Sequence, residues 1–251
     1  MMRRCKIFVV ALLLWGVPGW LHGAGLRHLP VPEPAAPPTV VRPPAPMESE
    51  VEVGDQKTFW VWDLSVMPPG FKQVTATARA VGDHSYIFVD DTQWNVTVTQ
   101  EDVDTIFTTF EHQTPPTSWR PDHGIYDNDV DAFGTPPDVL DNDPHIYILI
   151  VFMDTYVNDQ GEEFYFDGFW NVYDEYTDEE AWNRYRQHSN EVEMIYINCC
   201  SLNPPASDYM LAVVAHEFQH MIHWNYDEDE ESWINESASE AAMVVNGYTT
   251  D

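Results

Sequence analysis

The chain is poor in basic residues. It has 251 residues, with 11 Lys and Arg against 42 Asp and Glu, and a formal net charge of -31 at pH 7. A surface this negative repels nucleic acid and anionic lipid, so the composition argues against binding to either. It favours solubility and attraction to cations.

Cysteine is also scarce. The chain contains 3 cysteines, and Cys5 lies in an N-terminal segment that we expect to be removed. Cys199 and Cys200 are neighbours, so they cannot link distant parts of the fold, and a disulfide between them would be strained. Two reduced thiols are the simpler expectation, and neither has the surroundings of a catalytic cysteine.

Long apolar runs are absent except near the N-terminus. Arg3, Arg4 and Lys6 precede the apolar residues 7–15, a stretch too short to span a bilayer. This layout is typical of a secretory signal peptide, here residues 1–24, with cleavage near Gly23 or Ala24. A buried apolar helix is the alternative. The sequence therefore predicts a secreted protein, extracellular or in the cell envelope, with no membrane span after cleavage.

Composition divides the rest of the chain into three segments. Residues 25–50 are rich in proline and predict an extended linker. Residues 51–115 predict a β-rich N-terminal domain or propeptide, with antiparallel strands within 51–97. In the same segment, Thr99 and Asp102 predict a capped helix that carries Val103, Ile106, Phe107 and Phe110 at helical spacing. Residues 116–251 form the predicted catalytic domain, and the fold class is α+β.

Two apolar stretches in the catalytic segment predict strands. Residues 145–152 form a nearly continuous apolar run, which suits a buried central strand. Residues 193–198 predict a second strand, followed by a loop into a helix. We expect Trp170, Tyr173 and Trp182 to line a cleft, although aromatic side chains are more often core residues.

The most informative motif is HExxH at residues 216–220. On a helix, His216 and His220 lie one turn apart on one face, so both can bind a single zinc ion. Glu217 lies about 100° round the helix, where it suits a general base acting on a zinc-activated water. Ser207 predicts the start of this helix, and an apolar back face opposite the histidines supports it: Leu211, Val214, Ala215, Phe218 and Ile222.

A second helix is predicted at residues 232–245, ended by Gly247. Glu236 and Glu240 share one side of it, opposite an apolar stripe made of Ile234, Ala238, Ala241, Ala242 and Val245. We expect Glu236 to be the third zinc ligand and Glu240 to orient a histidine ring. Paired glutamates on a helix are otherwise usually a solvated face.

His223 and Tyr226 follow the motif. His223 lies about 10 Å along the helix axis from His216, which is too far for both to bind one tetrahedral ion. A metzincin would have Gly at position 223 and His at 226, so that class is disfavoured. We expect His223 near the pocket wall, with a core or surface position as the alternative, and we consider both His223 and Tyr226 as transition-state stabilisers.

Calcium is a second candidate cofactor. Asp127, Asp129 and Asp131 place hard oxygen donors at alternate positions, and residues 141–143 form a similar run. Neither run matches the EF-hand pattern, which needs a Gly at its sixth position and a Glu at its twelfth. Turn formation explains both runs without a metal.

The two motifs, His216 to His220 and Asn235-Glu236 with Glu240, resemble the gluzincin metallopeptidases, whose helices carry HExxH and then NExxx(D/E). The fuller runs 215–224 and 233–236, with 190–198 upstream, are similar to the hyicolysin-like and immune-inhibitor-A-like secreted bacterial peptidases. The resemblance covers about 60 residues. It implies a zincin-type catalytic domain, with a mixed sheet, an active-site helix and a glutamate-bearing helix.

The resemblance further implies zinc bound by His216, His220 and Glu236, with Glu217 as the base. It also implies that a strand beside the zinc helix pairs with an extended protein or peptide substrate. Two departures are a short gap between His220 and Glu236, and a chain that stops at Asp251, where gluzincins usually continue into a helical subdomain. We therefore expect either a fragment or an unusually open site.

The sequence predicts a secreted zinc endopeptidase. A non-catalytic zinc-bearing binding module and an inert truncated copy are the alternatives, and a zymogen is a third if residues 51–115 are inhibitory. Substrate specificity and oligomeric state stay open.

Overall fold

The computed structural model describes residues 51–66, 68–157, 163–164, 166–199 and 203–248. For residues 156–157 and 163–164 it describes the backbone alone. The predicted signal peptide, the predicted linker and Cys200 lie outside the described residues. Cys199 is buried. No helix in the described ranges combines the length and apolar character needed to cross a bilayer.

A six-stranded mixed sheet forms the centre of the α+β fold. Its spatial order is β1-β2-β3-β4-β8-β7. The strands are β1 (Gln56–Asp63), β2 (Gly70–Val81), β3 (Ser85–Asp90), β4 (Ile146–Val151), β7 (Gly168–Trp170) and β8 (Met194–Asn198). Two short strands, β5 (Tyr156–Val157) and β6 (Glu163–Phe164), pair with each other separately.

Strand direction changes across the sheet. β1, β2 and β3 are antiparallel neighbours, which confirms the antiparallel unit predicted within residues 51–97. β3, β4 and β8 are parallel, and β7 closes the sheet antiparallel to β8. All six residues of β4 are buried, as expected of a central strand covered on both faces. The strand predicted at 193–198 is β8.

Five α-helices accompany the sheet: α1 (Gln100–Glu111), α2 (Ile125–Phe133), α3 (Asp178–Tyr185), α4 (Asp208–Tyr226) and α5 (Ser232–Val245). A 3-10 turn at Val172–Glu175 precedes α3. α1 starts with the predicted capping box between Thr99 and Asp102, and α4 starts at the predicted Ser207 cap. α5 has the predicted bounds and is followed by Gly247 at φ 84°.

The apolar stripe predicted for α5 was partly wrong. Ser239, Ala242 and Met243 are its buried residues, whereas Ala241 is exposed. α5 packs chiefly on α4, and it turns the side that carries Glu236 and Ser239 towards that helix. The covered side of α5 therefore combines apolar residues with a polar contact from Ser239 to Gln219.

Each face of the sheet has its own core. Ile146, Ile148 and Ile150 of β4 point to the face covered by α1, α2 and α4. The intervening Tyr147 and Leu149 join an aromatic-rich cluster on the other face. Because β3 pairs with β4, residues before and after position 115 share one sheet. Removal of 51–115 as a propeptide stays a prediction.

Candidate metal centre

α4 brings the two motif histidines onto one side of a buried helix. Its back face, with Val214, Phe218 and Ile222, is fully buried against the sheet and α2. His216 is 3% exposed and His220 is partly buried one turn later. Their Nε2 atoms lie 3.1 Å apart, with the ring planes at 83° to each other.

Glu236 of α5 completes a three-residue group with these histidines. Its Oε2 lies 3.5 Å from His216 Nε2, and its Oε1 lies 3.7 Å from His220 Nε2. One potential ligand atom from each of the three residues lies within 4.8 Å of the others. The structure therefore brings together the three ligands predicted from sequence.

The spacing fits a small tetrahedral ion. With metal–ligand bonds of about 2.05 Å, two ligands of a tetrahedral zinc lie roughly 3.3 Å apart. The two Nε2 atoms lie 3.1 Å apart, and the distances from them to Glu236 are 3.5 Å to Oε2 and 3.7 Å to Oε1, on both sides of that value. Two nitrogens and one carboxylate are also a donor set that suits zinc.

Hydrogen bonds fix the ring of His220. Its Nδ1 lies 2.6 Å from Asn235 Oδ1 and 3.0 Å from Ser239 Oγ. The Ser239 hydroxyl donates to Gln219 Oε1 at 2.6 Å, so it can only accept from the ring. An amide oxygen also only accepts, so His220 Nδ1 carries the proton. In the neutral ring the lone pair is then on Nε2, which faces Glu236.

The side chains around His216 carry a net negative charge. Burial by itself lowers the pKa of His216, but Glu236, Glu217 and Glu240 together raise it above its ordinary value. Burial likewise raises the pKa of Glu236, but the two histidines outweigh that effect and lower it. The group is therefore set up to hold positive charge, and a divalent cation would supply it.

Glu217 lies beside the group in a confined position. It is 6% exposed, and its Oε2 accepts the backbone N–H of Trp170 at 2.9 Å. Trp170 is the last residue of β7, at the edge of the sheet. The ring of Trp170 lies 6.0 Å from that of Trp224 on α4. A strand distant in sequence thus holds the predicted base in place.

The residues that orient the His220 ring are ones that the sequence analysis missed. Within the described part of the chain, no hydrogen bond joins Glu240 to either histidine ring. Asn235 and Ser239 take that role for His220. Asn235 stands directly before Glu236 in the motif, so its position beside the ligand was a usable signal.

The two candidate stabilisers have other partners. The hydroxyl of Tyr226 accepts the backbone N–H of Thr135 at 3.0 Å, and its ring packs on Gly134 in the loop after α2. The Nε2 of His223 lies 4.0 Å from Glu230. These contacts engage both side chains near the C-terminal end of α4.

The predicted calcium ligands do not converge. All three lie in α2, where residues two apart point about 200° away from each other. Asp129 is buried and accepts from Asn246 at 2.6 Å, whereas Asp131 is exposed and pairs with Arg120. In a strand, this spacing would place all three donors on one side. In a helix, it places Asp129 on the side opposite Asp127 and Asp131.

Comparisons with known proteins leave the family open. No protein-family model matches the chain. No curated protein matches it either.

Proposed function

We propose that this chain is a secreted zinc-dependent endopeptidase with a zincin-type catalytic domain of the gluzincin kind. The observation that carries the proposal is the convergence of His216, His220 and Glu236 at ligand spacing, on two helices, with Glu217 buried beside them. When bound, zinc supplies a Lewis acid that acidifies a water and polarises a substrate carbonyl.

Glu217 acts as the general base. Its carboxylate takes a proton from the attacking water and later passes it to the leaving amine. The Trp170 N–H, 2.9 Å from Oε2, fixes the rotation of the carboxylate and leaves the other oxygen for proton transfer. His220 is held for its role by Asn235 and Ser239.

The edge of the sheet supports a peptide as the substrate. β7 ends the strand order beside α4, so in the described part of the chain one side of it has no strand partner. An extended peptide can pair with the main-chain groups that remain open at this edge, since the Trp170 N–H is already bonded to Glu217. Pairing through the main chain would allow many different side chains in the substrate. Protein substrates are also compatible with an acidic surface that repels nucleic acid.

Glu217→Gln tests the assignment. The variant should bind zinc like the wild type, because Glu217 is not one of the three ligands, and should lose casein hydrolysis by at least about 100-fold. Glu179→Gln, the same change at an exposed position on α3, is the matched control. Normal casein cleavage by Glu217→Gln would contradict the role given to this residue.

Metal content separates the enzyme from a binding module. Glu236→Ala should lower zinc occupancy, measured by elemental analysis after dialysis, since it removes one of three ligands. Zinc bound by the wild type without any chelator-sensitive cleavage would favour a non-catalytic module. The buried Glu217 favours an enzyme, because a pure binder has no need of a base at that position.

A further inference from the structure

A second group of candidate metal ligands, made only of carboxylates, lies apart from the histidine pair, at the start of β8. Glu193 precedes this strand and is 2% exposed. Its Oε1 accepts the backbone N–H of Val139 at 3.0 Å, whereas its Oε2 is buried without a hydrogen-bond partner among the described residues. A buried carboxylate oxygen that lacks a donor is costly, so it indicates a missing partner.

Two further carboxylates face Glu193 from the loop between α2 and β4. Asp138 and Asp141 each place an oxygen within 4.8 Å of a Glu193 oxygen and of each other. Calcium–oxygen bonds are 2.3–2.6 Å, so ligands on opposite sides of one calcium ion lie about 5 Å apart. The three oxygens are therefore close enough to share one ion.

Among the residues that the structure describes, no ion pair neutralises Glu193, Asp138 or Asp141. Glu175 lies near, 4% exposed, and its Oε2 also has no hydrogen-bond partner among the described residues. Burial, then the charges of Glu193, Asp174 and Asp141, raise the pKa of Glu175 to about 9.

Lys57 lies close enough to Asp141 for its positive charge to oppose the rise in the pKa of that carboxyl group. In the described ranges it forms no ion pair with the acidic group. Its ammonium lies over the ring of Tyr147, 4.5 Å from the centroid, and burial lowers its pKa.

We propose that Glu193, Asp138 and Asp141 form a calcium site that fastens the α2–β4 loop to the start of β8. The ligands are all oxygen, which suits a hard cation and distinguishes this group from the nitrogen-containing group on α4 and α5. Asp138 and Asp141 are exposed and Glu193 is buried, so the loop supplies two ligands that close over a fixed third.

The site supports the metal centre from a distance. β8 ends at Asn198, and α4 starts at Asp208. Fastening the loop to β8 therefore steadies the strand against which α4 packs. The proposed calcium site shares no residue with the proposed zinc site, so either one can fail without the other.

Calcium binding to the full chain tests the proposal. The protein is placed in calcium-free buffer with one equivalent of zinc, and thermal unfolding is followed as calcium chloride is added, with magnesium and sodium chloride at matched ionic strength. For an extracellular-type Kd near 10⁻⁴–10⁻³ M, 10 mM calcium should raise Tm by roughly 5 °C, and above Kd the rise should continue with the logarithm of the calcium concentration. Equilibrium dialysis with radioactive calcium gives the stoichiometry.

Asp141→Asn and Glu193→Gln should each weaken calcium binding at least about tenfold, since each removes a charged ligand. Asp83→Asn, an exposed change outside the group, is the control. Asp141 is on a surface loop, so Asp141→Asn alone tests calcium binding if the buried substitution Glu193→Gln prevents folding. An equal Tm rise in all four proteins would show general charge screening, and the absence of saturable calcium binding in the dialysis would show no site; either result overturns the proposal.

Discussion

Asn235 is the residue whose replacement tests the metal centre without touching a ligand. Its Oδ1 lies 2.6 Å from His220 Nδ1, the shorter of the two contacts that orient this ring. In Asn235→Ala the ring keeps only the 3.0 Å contact with Ser239. His220 can then rotate or change tautomer, and both changes move the Nε2 lone pair away from Glu236.

The expected loss of zinc affinity is taken from comparable hydrogen bonds to metal-binding histidines in other proteins. Removing a partner that orients a metal-binding histidine typically costs 10–100-fold in metal affinity. Because Ser239 remains, we expect about tenfold weaker zinc binding in Asn235→Ala, which is about 1.4 kcal/mol. Asn235→Ala combined with Ser239→Ala should approach 100-fold, about 2.7 kcal/mol. Asn235→Asp keeps an acceptor and should retain the affinity.

Competition with a chromogenic chelator measures zinc affinity in each variant, and far-ultraviolet circular dichroism shows that the fold is kept. Asn225→Ala is the control, since Asn225 is exposed on the same helix as His220 and donates to Thr135 at 3.0 Å. Wild-type zinc affinity in the double variant would refute the orientation of His220 by these two residues.

Three further predictions concern stability, measured by urea unfolding. Burial raises the pKa of Asp174 from 3.8 to about 7, so folding favours the protonated acid. Stability should therefore fall by about 4 kcal/mol as pH rises from about 4, through the folded pKa, to about 8. Asp174→Asn should flatten this change, and an unaltered pH profile would contradict it. Asn246→Ala leaves the buried Asp129 without its donor and should cost about 1–3 kcal/mol; a change below 0.5 kcal/mol would refute the role of that bond. Phe218→Ala opens the fully buried back of α4 and should cost about 3–5 kcal/mol, whereas exposed Trp119→Ala should cost far less.

The sequence was sufficient where local periodicity determines structure. The four-residue spacing of His216 and His220 needs only a helix to bring them together, and the caps at Thr99 and Ser207 are local hydrogen bonds. The buried strand β4 was equally readable, because an unbroken apolar run suits a strand covered on both faces.

Contacts between distant segments could not be read this way. Trp170 precedes Glu217 by 47 residues, and Val139 precedes Glu193 by 54. Both contacts depend on sheet order, which places β7 and β8 beside α4 and starts β8 beside the loop before β4.

The covered side of α5 was predicted only in part. Ala242 of the predicted stripe is buried, but so are Met243 and Ser239, and Ser239 donates to Gln219 on α4. The predicted calcium site failed because the wrong local structure was assumed for its aspartates. The spacing of Asp127, Asp129 and Asp131 suits donors in a loop or strand, but the segment is helical.

Anomalous X-ray diffraction at the zinc edge, on crystals of the zinc-loaded chain, tests the metal centre most directly. We predict one strong peak about 2.0–2.2 Å from His216 Nε2, His220 Nε2 and a Glu236 oxygen, with these three as its only protein ligands. A peak at other residues, or none between α4 and α5 at full zinc loading, would contradict the proposed centre and the peptidase assignment built on it.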